Sequence, residues 1–288
     1  MSKTVLVTGT SSGFGKDIAL TLAQAGHQVF ATMRGVNGHH TTAAKELQSA
    51  GIEVLELDVT KDASVNEAAG LLFQKTGGKL DVVVNNAGSM FTGISETITS
   101  DQALEIFNVN VIGIQRVLRA VLPNLRKNGS GLVINVGSIL GRVTIPFMGL
   151  YGASKFAVEA LTDSYRYELS QLGVDVVLVQ PGPYPTNLYT HIEGADSARA
   201  TEYGPIAEIP KAFGAFVAGL FSSPDAPNPH DVAEDIAKLI GTSAGQRPAR
   251  VVVGQAFGAD AANAAIEPIQ AQLISGVQMD GLKTLKTT

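Results

Sequence analysis

Val5-Leu6-Val7-Thr8-Gly9-Thr10-Ser11-Ser12-Gly13-Phe14-Gly15 reads as a short apolar strand running into a glycine turn. Beyond it, Ile18, Ala19, Leu22, Ala23 and Ala25 recur at helical spacing until Gly26, a residue suited to end a helix. Glycines at a strand-to-helix junction permit a tight turn and let an anion approach the backbone, with the helix N–H groups aimed at it. The spacing is G-x-x-x-G-x-G rather than the commoner G-x-G-x-x-G dinucleotide fingerprint. Glycines alone occur in ordinary turns; their place between a first strand and a first helix favours a dinucleotide phosphate.

The unit then repeats. Strand-like Gln28–Arg34 is followed by a helical stretch at 42–50, a strand at 53–57 ending on Asp58, a helix at 63–75 and the strand Val82-Val83-Val84 leading into Asn85-Asn86-Ala87-Gly88. Strands alternating with helices predict an α/β fold, a doubly wound parallel sheet of Rossmann type in three αβα layers, with ligands beyond the carboxyl ends of the strands. No internal repeat or linker divides the chain, so 1–288 is expected to form one domain.

The second strand ends without an acidic residue to meet a ribose hydroxyl, and Arg34 follows. An arginine can pair with a 2′-phosphate, which points to NADP rather than NAD; the other reading is a surface arginine. The stretch 35–40 is polar, and His39-His40 reads as a solvated loop rather than a metal site.

An amphipathic stretch spans 101–122, with Pro123 expected to close it. Asn110 sits within it, and two readings stay open: a functional amide or a structural hydrogen bond. The strand 131–136 ends at Gly137-Ser138. Thirteen residues on, Tyr151-Gly152-Ala153-Ser154-Lys155 opens a helix that places a phenol and an ammonium on one face. A nearby ammonium favours the phenolate and is expected to draw the tyrosine pKa from about 10 toward neutrality. Strand 175–179 leads to Pro181-Gly182-Pro183-Tyr184-Pro185-Thr186, and 187–229, rich in Pro, Gly, Ser and Ala, reads as a lid with one helix near 211–221. A helix opens at His230, a last strand falls at 251–253, and the tail at 259–275 is expected to be helical and to pack on a partner subunit.

The formal net charge of −5 argues against a general nucleic-acid-binding role. The absence of cysteine excludes disulfides and thiolate metal sites. No apolar run approaches the roughly 18 residues of a membrane span, and the chain starts directly on its first strand, so a cytoplasmic location is expected.

With these residues in order, the chain resembles the short-chain dehydrogenase/reductase family in its single-domain branch. The motifs are Thr8-Gly9-x-x-x-Gly13-x-Gly15, Asp58, Asn85-Asn86-Ala87-Gly88, Asn110, Ser138, Tyr151-x-x-x-Lys155, and Pro181-Gly182 with Thr186. The resemblance implies a catalytic set of Asn110, Ser138, Tyr151 and Lys155. It implies cofactor contacts at Gly9, Ser11, Ser12, Gly13, Phe14, Gly15, Arg34, Asp58, Val59, Asn85, Asn86, Ala87, Gly88, Tyr151, Lys155, Pro181, Gly182 and Thr186. By the same resemblance Tyr151 exchanges a proton with the substrate oxygen, Ser138 hydrogen-bonds that oxygen, and Lys155 binds the nicotinamide ribose. Asn110 would hold a water beside Lys155, Asp58 the adenine amino group, and Asn85 to Gly88 the central strand and adenosine ribose. Many NADP-using members carry a basic residue where this chain has Ser12, so a 2′-phosphate would rest on Arg34, assisted by Ser11 or Ser12. A homodimer or homotetramer through the helices near 101–122 and 151–172 is also implied.

The expected function is an NADP-dependent reduction of a carbonyl or oxidation of a secondary alcohol. Met90, Phe91, Phe147, Met148, Leu150, Tyr184, Leu188 and Tyr189 are expected near an apolar substrate pocket, unless they simply pack beneath the lid. The alternatives are a non-catalytic NADP(H)-binding regulator on the same fold and, with a poorer fit, a sugar-nucleotide epimerase of the extended branch.

Overall fold

The computed structural model describes residues 1–189 and 196–287. The strands are β1 (Thr4–Thr8), β2 (Gln28–Met33), β3 (Glu53–Glu56), β4 (Val82–Asn85), β5 (Gly131–Val136), β6 (Val174–Pro181) and β7 (Arg250–Val253). The helices are α1 (Gly13–Gln24), α2 (Thr41–Ser49), α3 (Asp62–Thr76), α4 (Ser100–Phe107), α5 (Gly113–Asn128), α6 (Gly149–Ser170), α7 (Ser197–Glu202), α8 (Ile209–Phe221), α9 (His230–Gly241) and α10 (Ala259–Gly276). Among the described residues the strands form one all-parallel sheet in the order β3-β2-β1-β4-β5-β6-β7.

Alternation along each strand divides the core in two. Val5 and Val7 of β1 face one layer, where Ile18 and Leu22 of α1, Leu47 of α2 and Ile236 of α9 pack. Leu6 faces the other, with Leu72 of α3, Leu118 of α5 and Val158 of α6. Each fully buried aliphatic side chain contributes about 1.5–3 kcal/mol, and apolar strands covered on both faces are what a parallel sheet requires.

The stretch expected as one helix is three pieces. α4 gives way to a widened π turn at Asn108–Ile112 before α5 begins, and Asn110 is buried in that turn. Insertions of this kind favour functional sites. Pro123 does not close the helix: it lies inside α5, which ends at Gly129 in the left-handed region, φ 64°. A proline removes the N–H that would bond the carbonyl of Arg119. Both residues are exposed, so water can take that carbonyl, while buried Leu118, Leu122 and Leu125 keep the helix docked.

Candidate active site

Every β-to-α crossing from β1 to β6 emerges on one edge of the sheet, and a cavity of about 780 Å³ runs along it. At one end is the glycine turn. Gly9 has φ 71°, and a Cβ there would stand 2.7 Å from the Ala87 Cα. A Cβ on Gly15 would stand 2.2 Å from the Gly9 carbonyl oxygen. The turn is laced to the end of β4: Asn86 Nδ2 donates to the carbonyls of Thr8 (2.9 Å) and Gly9 (3.0 Å), and the Thr8 hydroxyl accepts from the N–H groups of Asn86 and Ala87. Ser12 caps α1 without a side-chain bond, and the first turn holds no acidic residue, so the opening amides of α1 face the cavity. That is the donor set and the open cradle a pyrophosphate needs.

Arg34 is exposed on the cavity wall, within 4 Å of no carboxylate among the described residues. Beside it, the Asp58 carboxylate accepts from the Thr60 N–H (3.0 Å) and hydroxyl (2.7 Å). Burial works against that carboxylate, but the Thr60 bonds, Arg34 and Lys61 outweigh it and hold its pKa below the ordinary value.

Ser138, Tyr151 and Lys155 meet near the middle of the cavity. Ser138 follows β5, its Oγ accepting from the Leu140 N–H at 3.1 Å and sharing a hydrogen bond with the Tyr151 phenol. Tyr151 and Lys155, one turn apart on α6, are 6% and 7% exposed. The Lys155 ammonium donates to the Val136 carbonyl at 3.0 Å and lies 5.7 Å from the Tyr151 ring centroid. Burial pushes the phenol pKa up, Tyr189 adds to the rise, and the Ser138 bond opposes it. Burial also pulls the Lys155 pKa down to about 8. The tyrosine shift is thus opposite to the one expected from the spacing: desolvation of two charges outweighs a mutual attraction across this distance.

Three residues expected in the catalytic and cofactor sets do not line the cavity. Gly15 packs under the turn. Asn85 donates through Nδ2 to Asn135 Oδ1 at 2.8 Å inside the sheet. Asn110 spends its amide on structure: Oδ1 accepts from the Ser89 N–H (2.8 Å), while Nδ2 donates to the Ser89 carbonyl (2.9 Å) and to Ser154 Oγ (3.0 Å). The remaining expected cofactor contacts, from Gly9, Ser11, Ser12, Gly13 and Phe14 through Arg34, Asp58 and Val59 to Asn86, Ala87, Gly88, Pro181, Gly182 and Thr186, do line it.

The apolar end is lined by Met90, Phe91, Met148, Leu188 and Tyr189, and by Phe213, Phe216, Val217 and Leu220 of α8. The α8 contribution was missed because a long loop separates it from the motifs, although its Phe213, Val217 and Leu220 spacing is helical. Phe147, at φ 69°, and Leu150 do not line the cavity. Tyr184 lies against the cavity wall but is a core residue, 1% exposed, edge-on to Phe14 at 5.5 Å and bonded to Asp231 at 3.3 Å. Part of the expected lid, residues 190–195, lies outside the described residues.

The family model described as short chain dehydrogenase matches residues 3–196. The chain belongs to this family. A 3-ketodihydrosphingosine reductase from Bacteroides thetaiotaomicron is 38% identical over 63% of this chain and 64% of its own length. Human 17-beta-hydroxysteroid dehydrogenase type 1 is 37% identical over 68% of this chain and 61% of its own. The matches therefore span less than two thirds of these relatives. Among solved structures, an alcohol dehydrogenase from Thermococcus sibiricus complexed with 5-hydroxy-NADP has a TM-score of 0.70 at 27% identity, covering 88% of this chain and 96% of its own. A 3-ketoacyl-(acyl-carrier-protein) reductase from Brucella melitensis complexed with NADH has a TM-score of 0.73 at 25% identity, covering 88% and 98%. Neighbours thus include complexes of both cofactor types.

Among the described residues no helix is long and apolar enough to cross a membrane.

Proposed function

We propose that this protein is an NADP-dependent oxidoreductase acting between a carbonyl and a secondary alcohol on a hydrophobic substrate. The observation that carries the reading is the meeting of Ser138, Tyr151 and Lys155 between a glycine-lined phosphate cradle and an apolar pocket. A bound nicotinamide supplies or accepts the hydride. In the reducing direction Tyr151 gives its phenolic proton to the oxygen on which charge grows, and Ser138 donates a hydrogen bond to the same oxygen. Lys155, held against β5 through Val136, orients the ribose hydroxyls and returns a proton toward the phenol. Because the Asn110 amide is already engaged, any water held at the π turn would rest on main-chain carbonyls, with the side chain fixing their position.

Arg34 favours NADP: an exposed guanidinium just beyond β2, with no carboxylate within 4 Å among the described residues, suits a 2′-phosphate. The apolar lining supports a lipophilic substrate, in keeping with relatives named for a ketosphinganine and a hydroxysteroid. One domain spanning 1–288, a lid over 187–229, a homo-oligomer and a cytoplasmic location complete the reading. Leu104, Ile112 and Phe156, exposed on α4 to α6, fit an interface between subunits.

NADPH consumption followed by absorbance over a panel of lipophilic ketones and aldehydes tests the proposal. Turnover that depends on the Tyr151 hydroxyl supports it. NADPH binding with no turnover across the panel favours the non-catalytic regulator.

A further inference from the structure

The loop after Arg34 is a built turn. Glu56, at the end of β3, accepts the N–H groups of Gly35 and Val36, each at 2.8 Å. Gly35 takes φ 65°, and the His40 N–H returns to the Gly35 carbonyl at 3.0 Å. This places His40 at the N-terminal cap of α2, with no side-chain capping bond, and on the same cavity wall as Arg34 and Asp58.

A cation is poorly placed there. The helix N-terminus carries partial positive charge. Burial, then His39, whose ring centroid is 4.3 Å away, and then Arg34 hold the His40 pKa below its ordinary value, with Glu56 opposing. Without an anion, protonation of this imidazole is therefore disfavoured. A dianion at this wall reverses the balance, because guanidinium, helix amides and imidazolium then all act as donors to one group.

We propose that His40 is a proton-gated second contact to the 2′-phosphate of the adenosine ribose, so that preference for NADP over NAD strengthens as pH falls. This rests on the NADP reading above and adds to it a residue and a pH dependence. Phosphate binding raises the affinity of His40 for a proton, which is taken from solvent. Binding coupled to proton uptake tightens as pH falls, until the free protein is itself protonated. The titratable and charged groups facing His40 are His39 on its own loop, Arg34 just beyond β2, and Glu56 from β3, with Asp58 on the same wall.

The test is calorimetric titration with NADP+ and NAD+ between about pH 8 and about pH 6, where an imidazole titrates. It compares the natural protein with His40→Gln, His40→Lys and Arg34→Ser. The NADP+ to NAD+ affinity ratio is expected to rise about fivefold over that range in the natural protein. It should change less than about twofold in His40→Gln, and stay high and flat in His40→Lys. Titration of the 2′-phosphate itself, near pKa 6, is common to all proteins and cancels in the comparison. The same pH dependence in the natural protein and His40→Gln overturns the proposal while leaving NADP use intact. NAD+ binding as tightly as NADP+ at every pH, unaffected by Arg34→Ser, overturns the NADP reading and this inference together.

Discussion

Lys155 and Tyr151 share one face of α6, with the ammonium 5.7 Å from the ring centroid and fixed to the end of β5 by its bond to Val136. Both groups are buried and each is shifted toward its neutral form; near neutral pH the cost to the folded state falls on Lys155, which is charged in the unfolded chain. Burial makes either group expensive to charge.

Tyr151→Phe removes one oxygen and leaves the ring. Turnover should fall by about 10²- to 10⁴-fold, the range for loss of a positioned acid. NADPH affinity, read by nucleotide fluorescence, should change only a few-fold. Retained turnover would remove Tyr151 from the chemistry.

Lys155 has its pKa lowered to about 8 in the folded protein, from 10.5. Between these values the unfolded chain binds more protons than the folded one, so stability rises with pH across that window and is diminished below about pH 8. Urea unfolding of the natural protein relative to Lys155→Met should therefore show a gain of about 1–3 kcal/mol from pH 7.5 to about 10. A flat difference would mean that the ammonium is better solvated than its position implies.

Asn110→Ala should cost about 2–4 kcal/mol, because it leaves the Ser89 N–H, the Ser89 carbonyl and Ser154 Oγ short of partners inside the protein. The measurement is the urea midpoint at constant m-value. Loss of turnover with unchanged stability would instead assign the amide a direct part in the reaction.

Phe213→Ala opens the wall that α8 contributes. For a long apolar ketone kcat/KM should fall roughly 10-fold or more, while a small ketone that does not reach α8 should change less than about threefold. Equal effects on both would place Phe213 in folding rather than in substrate contact.

Much of this was legible in the chain itself because it depends on neighbours in sequence. The glycine turn, the strand-helix alternation and the Tyr151–Lys155 spacing are local features, set by backbone sterics and by the periods of strand and helix. They determined the α/β architecture, the sheet edge along which the cavity runs and most of the motif residues that converge there. The tertiary structure decided what depends on environment. It turned Asn85 and Asn110 into internal ties, set Tyr184 between Phe14 and Asp231, and carried α5 past Pro123 on the strength of its buried leucines. It brought α8 and His40 to the cavity from outside every motif. It also set the sign of the Tyr151 shift, because spacing says how near an ammonium can come to a phenol, whereas desolvation depends on everything packed around both.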